Sequence, residues 1–452
     1  MILSNKKTLL QICGILPLTL FSVTRENVVV KPNIVCILVD DLGYGDLSCQ
    51  GYAKDIQTPN IDRLLNEGCR FTNFYANSNV SSPSRASLLT GCYPDKVGVP
   101  GVIRTHLNNS WGYLSPSATL LPQVLKQSGY HTALIGKWHL GLESPNTPIE
   151  RGFDYFHGFL GDMMDDYYTH LRFGNNYMRE NDKVINTDNR HATELFSDWT
   201  IDYLDEQRSS QQPFFLYLAY NAPHTPIQPP EDFLEKVKNR EPRVSEARAK
   251  LVALIEHLDY NVGRVVNTLR ENRQIENTLI VFVSDNGGDN DANNGPVRGK
   301  KGEMFEGGIK VAAGFYWEDH IKPLVTDNFA MLSDMFPTFC ELTGSKFTHN
   351  IDGISILPTL FGQHQITDER QVFWVRREGG ANQWRGKECY AARYKDYKIM
   401  QNTPFDPMLF FNLKNDPEEQ LILQQKDLGI FKKLSESLMS HIQEAGRIPW
   451  QK

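Results

Sequence analysis

The sequence predicts an α/β protein, with a large mixed, mainly parallel sheet sandwiched by helices and a smaller C-terminal subdomain built of an antiparallel sheet and a helix. Three observations predict it. Continuous apolar runs rich in β-branched residues recur at 33–39, 213–220 and 277–285, as in strands buried on both faces. Stretches of helical period alternate with them, which implies crossover connections and a parallel sheet. After about residue 360 the strand-like runs shorten and read as an antiparallel sheet.

The chain opens with Lys6 and Lys7 before the mostly apolar run TLLQICGILPLTLFSV, interrupted by Gln11 and Pro17. Its length suits a signal peptide over about 1–25, cut between Ser22 and Val30, and falls short of a membrane span. Export is therefore expected, to a bacterial periplasm or by secretion, with no stable membrane insertion afterwards. A buried N-terminal helix is the plainer alternative. The α/β domain is expected over 26–362 and the C-terminal subdomain over 363–452.

Within the α/β domain, NIVCILV (33–39) reads as a strand followed by the carboxylate-laden turn DDLGYGD. NIDRLLNEG (60–68) reads as a short amphipathic helix and CRFTNFYA (69–76) as the next strand. In NSNVSSPSRASLLTGCYP (77–94), Ser82 suits a helix cap, Pro83 the first turn and Gly91 the stop. A helix follows at 119–129, then a strand over HTALIGKWHLG (131–141), on which Lys137 and His139, two apart, face one way. Leu251, Leu254, Ile255, Leu258, Val262, Val265 and Leu269 give 245–272 a helical stripe. RQVFWVRR, CYAARYKDYKIMQ and PMLFFNLKND supply the antiparallel strands, and a last helix lies around 427–445.

A net charge of −7 over 452 residues argues against a nucleic-acid partner, which would need a basic surface. The seven cysteines are scattered, with no paired metal motif and no dense disulfide framework. Cys36, inside an apolar strand, reads as a small core residue.

The polar residues gather where an α/β sheet collects its ligands, at strand C-termini. Asp40 and Asp41 close the first strand; Asp285 and Asn286 close the 277–285 run. Either pair alone is ordinary acidic turn chemistry. Together they suit a hard divalent cation, calcium or magnesium in preference to zinc. Lys137 and His139, His224 in NAPHTP, and Arg298, Lys300 and Lys301 among glycines add cations and imidazoles. Each has a bland counterpart as a solvated strand face, a loop histidine or a basic turn. Combined with the helix N-terminus capped by Ser82, they suit an oxyanion ester, sulfate or phosphate, approached by a hydroxyl at position 81.

The ordered series VDDLGYGD, SSPSRASLLTG, GKWHLG, APHTP, SDNGG and GKKGEMFEGG resembles the type I, formylglycine-dependent sulfatases of the alkaline phosphatase superfamily, particularly bacterial carbohydrate sulfatases. The resemblance extends from about residue 32 to YKIMQNTPFDPMLFFNLKNDPEEQ. It implies that Ser81 occupies the position oxidised to formylglycine (3-oxoalanine), whose hydrate attacks sulfur through one oxygen and expels sulfate through the other. It further implies that Asp40, Asp41, Asp285 and Asn286 hold Ca2+, with Mg2+ second, and that residue 81 completes the site. Arg85, Lys137 and Lys301 would contact sulfate, His224 would protonate the leaving alkoxide and His139 would assist sulfate release. Lys301 aligns better than Lys300 because the family lysine falls three positions after the Arg298-type residue.

Most such proteins carry cysteine where this chain carries Ser81. A serine-type maturation system accounts for it, as does a Cys-to-Ser replacement that leaves a binding-competent, inactive protein; the commoner family form tilts the choice to replacement. The implied partners are a sulfated saccharide and a sulfatase-maturing enzyme. The saccharide would be a hexose or hexosamine of a glycosaminoglycan, mucin or algal galactan, galacto-configured by preference. His170 and Arg172, in the polar and aromatic stretch 161–181, with Arg376, Arg377 and Trp384, are candidates to contact the sugar. The competing expectations are a phosphomonoester or phosphodiester hydrolase of the same superfamily and a catalytically silent carbohydrate-binding relative.

Overall fold

The computed structural model describes residues 31–106, 110–378, 388–423 and 428–451. The expected signal segment and Trp384 lie outside the described residues. In the strand Asn33–Val39, every residue from Ile34 onward is fully buried. Its peptide groups have no water to bond, so it must be laddered on both sides. Thr278–Ser284 and Phe214–Ala219 flank it, both parallel. His131–Lys137 and Tyr155–Phe159 extend the parallel run beyond Phe214–Ala219. Antiparallel strands follow on both sides, Ala313–Tyr316 next to Thr278–Ser284 and Met178–Glu180 next to Tyr155–Phe159, and Cys69–Phe71, Leu324–Thr326 and Lys183–Val184 lie outside them. The whole sheet has ten strands.

Side-chain alternation along the central strand divides the core into two layers. Ile34, Cys36 and Leu38 point into one, with Leu88, Leu89, Leu125, Phe336 and Phe339. Val35, Ile37 and Val39 point into the other, against the long helix Glu246–Glu271 through Leu254, Leu258 and Val262. Ser245 caps that helix by accepting a hydrogen bond from the Arg248 amide at 3.1 Å.

The C-terminal strands Gln371–Arg377, Glu388–Tyr394, Tyr397–Gln401 and Leu409–Asn412 form an antiparallel sheet in sequence order. One face, with Val375, Ala392 and Ile399, receives Leu434 and Leu438 of the helix Leu428–Ala445. Its other face sets Trp374, Ala391 and Met400 against Tyr75, Met304 and Ile309 of the α/β part.

Three local expectations are corrected. The run 69–76 is two strands, Cys69–Phe71 in the large sheet and Phe74–Tyr75 paired with Ala330–Met331 in a separate small one. The polar pair Thr72–Asn73 turns the chain out, the Thr72 amide bonding Thr326 O at 2.8 Å. The helix Ser81–Thr90 starts two residues earlier than expected, so its cap is Val80, which offers no side-chain acceptor. Ser82 instead accepts from the Ile103 amide at 3.0 Å. Gly91 does end this helix, at φ 70°. Finally, the strand from His131 stops at Lys137, and His139 lies beyond it at φ 62°, so the two do not share a strand face.

Candidate active site

The site forms where the C-terminal ends of the central parallel strands meet the start of the helix Ser81–Thr90. The Asp285 amide bonds Val39 O at 3.0 Å and the Leu42 amide bonds Ser284 Oγ at 3.1 Å, locking two strand ends side by side. This brings Asp40 and Asp41 against Asp285 and Asn286. Asp41 takes φ 66°, a left-handed conformation that Asp tolerates better than most residues, and its amide points to Asp285 Oδ1 at 3.3 Å. Asn286 Nδ2 donates to Asp41 Oδ1 at 2.7 Å. Ser81 Oγ donates to Asp40 Oδ1 at 2.9 Å and lies 3.3 Å from Asn286 Oδ1.

Three cations face the three carboxylates. Arg85 bonds Asp285 Oδ2 through Nε at 3.1 Å and Nη2 at 2.9 Å, and Lys137 O through Nη1 at 3.2 Å. Lys137 Nζ bonds Asp40 Oδ2, and Lys301 Nζ bonds Asp41 Oδ2 at 2.7 Å. Arg85 and Lys137 are fully buried behind the site. The two histidines have different anchors. His139 Nε2 bonds Ile103 O at 2.8 Å and its Nδ1 has no partner among the described residues. His224 Nδ1 bonds Thr225 O at 2.6 Å while Nε2 stands 3.5 Å from Asp41 Oδ2.

Burial and charge set the protonation of this cluster in opposite directions. Burial, reinforced by Asp40, pushes Asp285 up to about 7 despite Arg85. Burial works the same way on Asp40, but Lys137, His224 and Arg85 override it and hold that carboxyl well below its ordinary range. Burial first, then Lys137 and Arg85, drive His139 well down, so its imidazole is neutral. Because Nε2–H must donate to the Ile103 carbonyl, the free lone pair is on Nδ1. His224 is lowered by burial and Lys301, with Asp41 opposing.

The donor set fits a hard cation. Asp40, Asp41 and His224 offer ligand atoms within 4.8 Å of one another, and Asp285 and Asn286 bond directly to the same group. Oxygen donors predominate and no thiolate is present in this cluster.

Ser81, His139, His224 and Lys301 line the floor of a cleft of about 470 Å3. Arg172 lines its rim with Arg104, Asp162 and Phe173, three residues the sequence reading missed. Asp162 and Phe173 belong to the polar and aromatic stretch already suspected, but nothing in the sequence separates them from its other members. His170 is placed elsewhere. It is buried with Nδ1 on Thr187 Oγ1 at 2.7 Å and Nε2 on Arg190 O at 2.9 Å, so it braces the loop and does not line the cleft. Arg376 is fully buried against Glu378, which also accepts from Arg104 Nη2 at 2.7 Å, so that carboxylate links it to the cleft lining. The Arg377 amide bonds Pro100 O at 2.9 Å, and the residue is not part of the cleft lining.

The sequence profile of the Sulfatase family matches residues 32–345. Rat N-acetylgalactosamine-6-sulfatase is 32% identical over 370 residues, covering 76% of this chain and 68% of the relative. An uncharacterized sulfatase of Escherichia coli K12, YdeN, is 30% identical over 410 residues, covering 78% and 70%. Among solved structures, Ps i-CgsB in complex with k-i-k-neocarrahexaose aligns at a TM-score of 0.82 with 31% identity, covering 91% of this chain and 92% of that one. With the profile spanning most of the chain, and relatives above 30% identity covered over two thirds of their length, the chain belongs to the sulfatase family of sulfuric ester hydrolases.

Proposed function

We propose that this chain removes sulfate from a sulfated saccharide, with residue 81, oxidised to formylglycine, as the nucleophile. The observation that carries this is the convergence at one cleft floor of Ser81 Oγ, the Asp40 and Asn286 oxygens within 3.3 Å of it, and Lys301, His139 and His224. Calcium held by Asp40, Asp41, Asp285 and Asn286, with residue 81 alongside, would offset the charge on the sulfate oxygens. The hydrated aldehyde would supply one hydroxyl for attack on sulfur and a second for sulfate release.

The chain's own side chains do the rest. Lys301 lines the cleft and Lys137 lies behind it, so positive charge is in place before substrate arrives. Arg85 fixes Asp285 and, through Lys137 O, the end of its strand. His139, neutral and pinned through Nε2, presents Nδ1 as a proton acceptor. His224 keeps Nδ1–H on Thr225 O, which leaves Nε2 to carry a proton to the departing sugar oxygen, with Asp41 beside it favouring the charged form.

A galacto-configured hexose or hexosamine is favoured as the sugar, because relatives include N-acetylgalactosamine-6-sulfatases and a carrageenan-oligosaccharide complex. Export and a sulfatase-maturing partner belong to the same proposal. The test is mass spectrometry of the peptide containing residue 81, paired with sulfate release from N-acetylgalactosamine 6-sulfate and a neocarrahexaose, with and without calcium. The expected result is a peptide lighter by one hydrogen molecule and calcium-dependent sulfate release. Unmodified Ser81, no sulfate release and retained saccharide binding would identify a silent binding protein instead. In that case Ser81→Cys, produced with a maturing enzyme, is expected to switch activity on. Two tightly bound zinc ions with phosphate-ester turnover would make the chain a phosphohydrolase.

A further inference from the structure

Beside the catalytic floor, a two-residue hairpin turn carries a residue that its backbone does not favour. Leu171–Arg172 pairs antiparallel with Asn175–Asn176, Leu171 opposite Asn176 and Arg172 opposite Asn175. The two residues between are Phe173 at φ 49° and Gly174 at φ 74°. Positive φ at both central positions is the pattern of a type I′ turn, where Asn, Asp or Gly is preferred at the first position. A phenylalanine there strains the backbone, since its Cβ crowds the following carbonyl. Strain of this kind persists where the side chain is needed.

Phe173 is also 52% exposed, so core burial does not compensate the strain. Its ring lines the same cleft as Ser81, His139, His224 and Lys301. It is held in place by charged and aromatic neighbours: the Arg172 guanidinium sits 3.9 Å from the ring centroid and the His106 ring 4.7 Å away at 30°. Arg172 is fixed in turn by Asp162, at 2.9 Å through Nε and 3.2 Å through Nη2, and by Asp165 at 2.7 Å. Asp165 also accepts from the Phe173 amide, which ties the strained turn to the same carboxylate. The ring is thus braced by Arg172 and His106, while the residue stays half exposed in the cleft lining.

A flat apolar surface beside charged and polar groups is suited to a pyranose, whose C–H faces are apolar and whose edge carries hydroxyls. With the sulfate group of the proposed substrate at Ser81 and Lys301, the sugar ring bearing it would reach toward Phe173 in the same cleft. We infer that Phe173 is a substrate-binding, specificity-determining residue that contacts the sugar ring carrying the scissile sulfate, with Asp162 and Arg172 as positioning residues. This rests on the saccharide sulfatase activity proposed above.

The test compares N-acetylgalactosamine 6-sulfate and a neocarrahexaose with 4-methylumbelliferyl sulfate as substrates of the matured full-length chain and of Phe173→Asn. Asparagine suits the turn, so the variant is expected to melt about 1–2 °C higher. Its KM for the saccharide is expected to rise about three- to tenfold relative to its KM for the aryl sulfate. Phe173→Leu, which keeps apolar bulk but not the flat face, is expected to raise the same ratio, and Phe173→Trp to preserve it. An unchanged ratio in both the Asn and Leu variants overturns the inference while leaving the sulfatase reading intact. Aryl sulfate turnover without any saccharide turnover by the unmutated chain overturns the saccharide reading, and the role of Phe173 with it.

Discussion

Two of the buried charge clusters among the described residues differ in what they leave open. At the candidate active site, Asp40, Asp41 and Asp285 meet Arg85, Lys137 and Lys301. At the joint with the C-terminal sheet, Lys398 Nζ bonds Glu306 Oε1 at 2.9 Å and Glu419 Oε1 at 2.8 Å, while Arg393 reaches Tyr75 OH at 2.6 Å and Tyr75 OH bonds Glu306. Both contain a carboxyl pushed up to about 7 by burial, Asp285 in one and Glu419 in the other. Both also contain one held low, Asp40 and Glu306. Perturbed acidity therefore does not separate a reactive site from a structural one here. The cleft does. The catalytic cluster ends on a cavity through Ser81, Lys301 and both histidines, whereas the joint ends on protein groups, down to the Glu306 amide donating to Glu419 Oε2 at 2.7 Å.

Removing the central cation of each cluster breaks the comparison most sharply. Lys137→Ala is expected to lower kcat/KM for sulfate release by about 10^2–10^3-fold, because a preorganised charge is lost near the reacting group. Single-turnover kinetics on the matured protein checks it. Lys398→Met leaves Glu306 and Glu419 buried together without their shared partner, an expected loss of about 3–5 kcal/mol in urea unfolding. Folded Lys398→Met protein is expected to keep its KM, since none of these groups lines the cleft.

Titration sharpens the same contrast. Glu419, raised from 4.5 to about 7 by burial against the pull of Lys398, is a carboxyl the folded state prefers protonated. Its contribution to stability is complete below 4.5 and is lost as pH rises through about 7. Glu306 runs the other way. Burial opposes its ionisation, but Lys398 and Arg393 prevail and hold it at about 2, so its contribution is present above 4.5 and is lost as pH falls toward 2. Glu419→Gln is therefore expected to remove a decline in stability between pH 4.5 and 7, at most about 1.4 kcal/mol per pH unit, measured as urea midpoints across that range.

The smallest effect is expected at Ser82. Ser82→Ala deletes the acceptor for the Ile103 amide, and Ile103 O is what pins His139. About 1 kcal/mol of stability should go, with a modest fall in kcat and little change in KM, measured by urea unfolding and steady-state kinetics.

The meeting of the carboxylates at the strand ends is legible in the sequence because its signals are local. Asp40–Asp41 and Asp285–Asn286 sit directly after apolar runs, and a strand buried on both faces announces itself by composition alone. The break at Thr72–Asn73 was hidden because both halves are apolar and β-prone, and only pairing partners distant in sequence, Ala330–Met331 among them, divide them. His139 was read onto a strand face because its positive φ leaves no mark in the sequence. The rim was least legible. Arg104, Asp162 and Phe173 come from separate loops whose meeting is a tertiary fact, and His170 resembles them in type while facing Thr187 and Arg190.

The helix Ser81–Thr90 carries a further consequence. All ten of its residues are buried, and Ser81 itself is 3% exposed. An enzyme that oxidises residue 81 must enclose that residue and its neighbours in a site of its own. On the finished fold this would mean withdrawing Arg85 from Asp285 and unpacking a helix whose ten residues are all buried. Under the proposed maturation, oxidation of residue 81 is therefore expected to precede folding, which would give the chain one window, while it is still extended, in which its fate as a catalyst is decided.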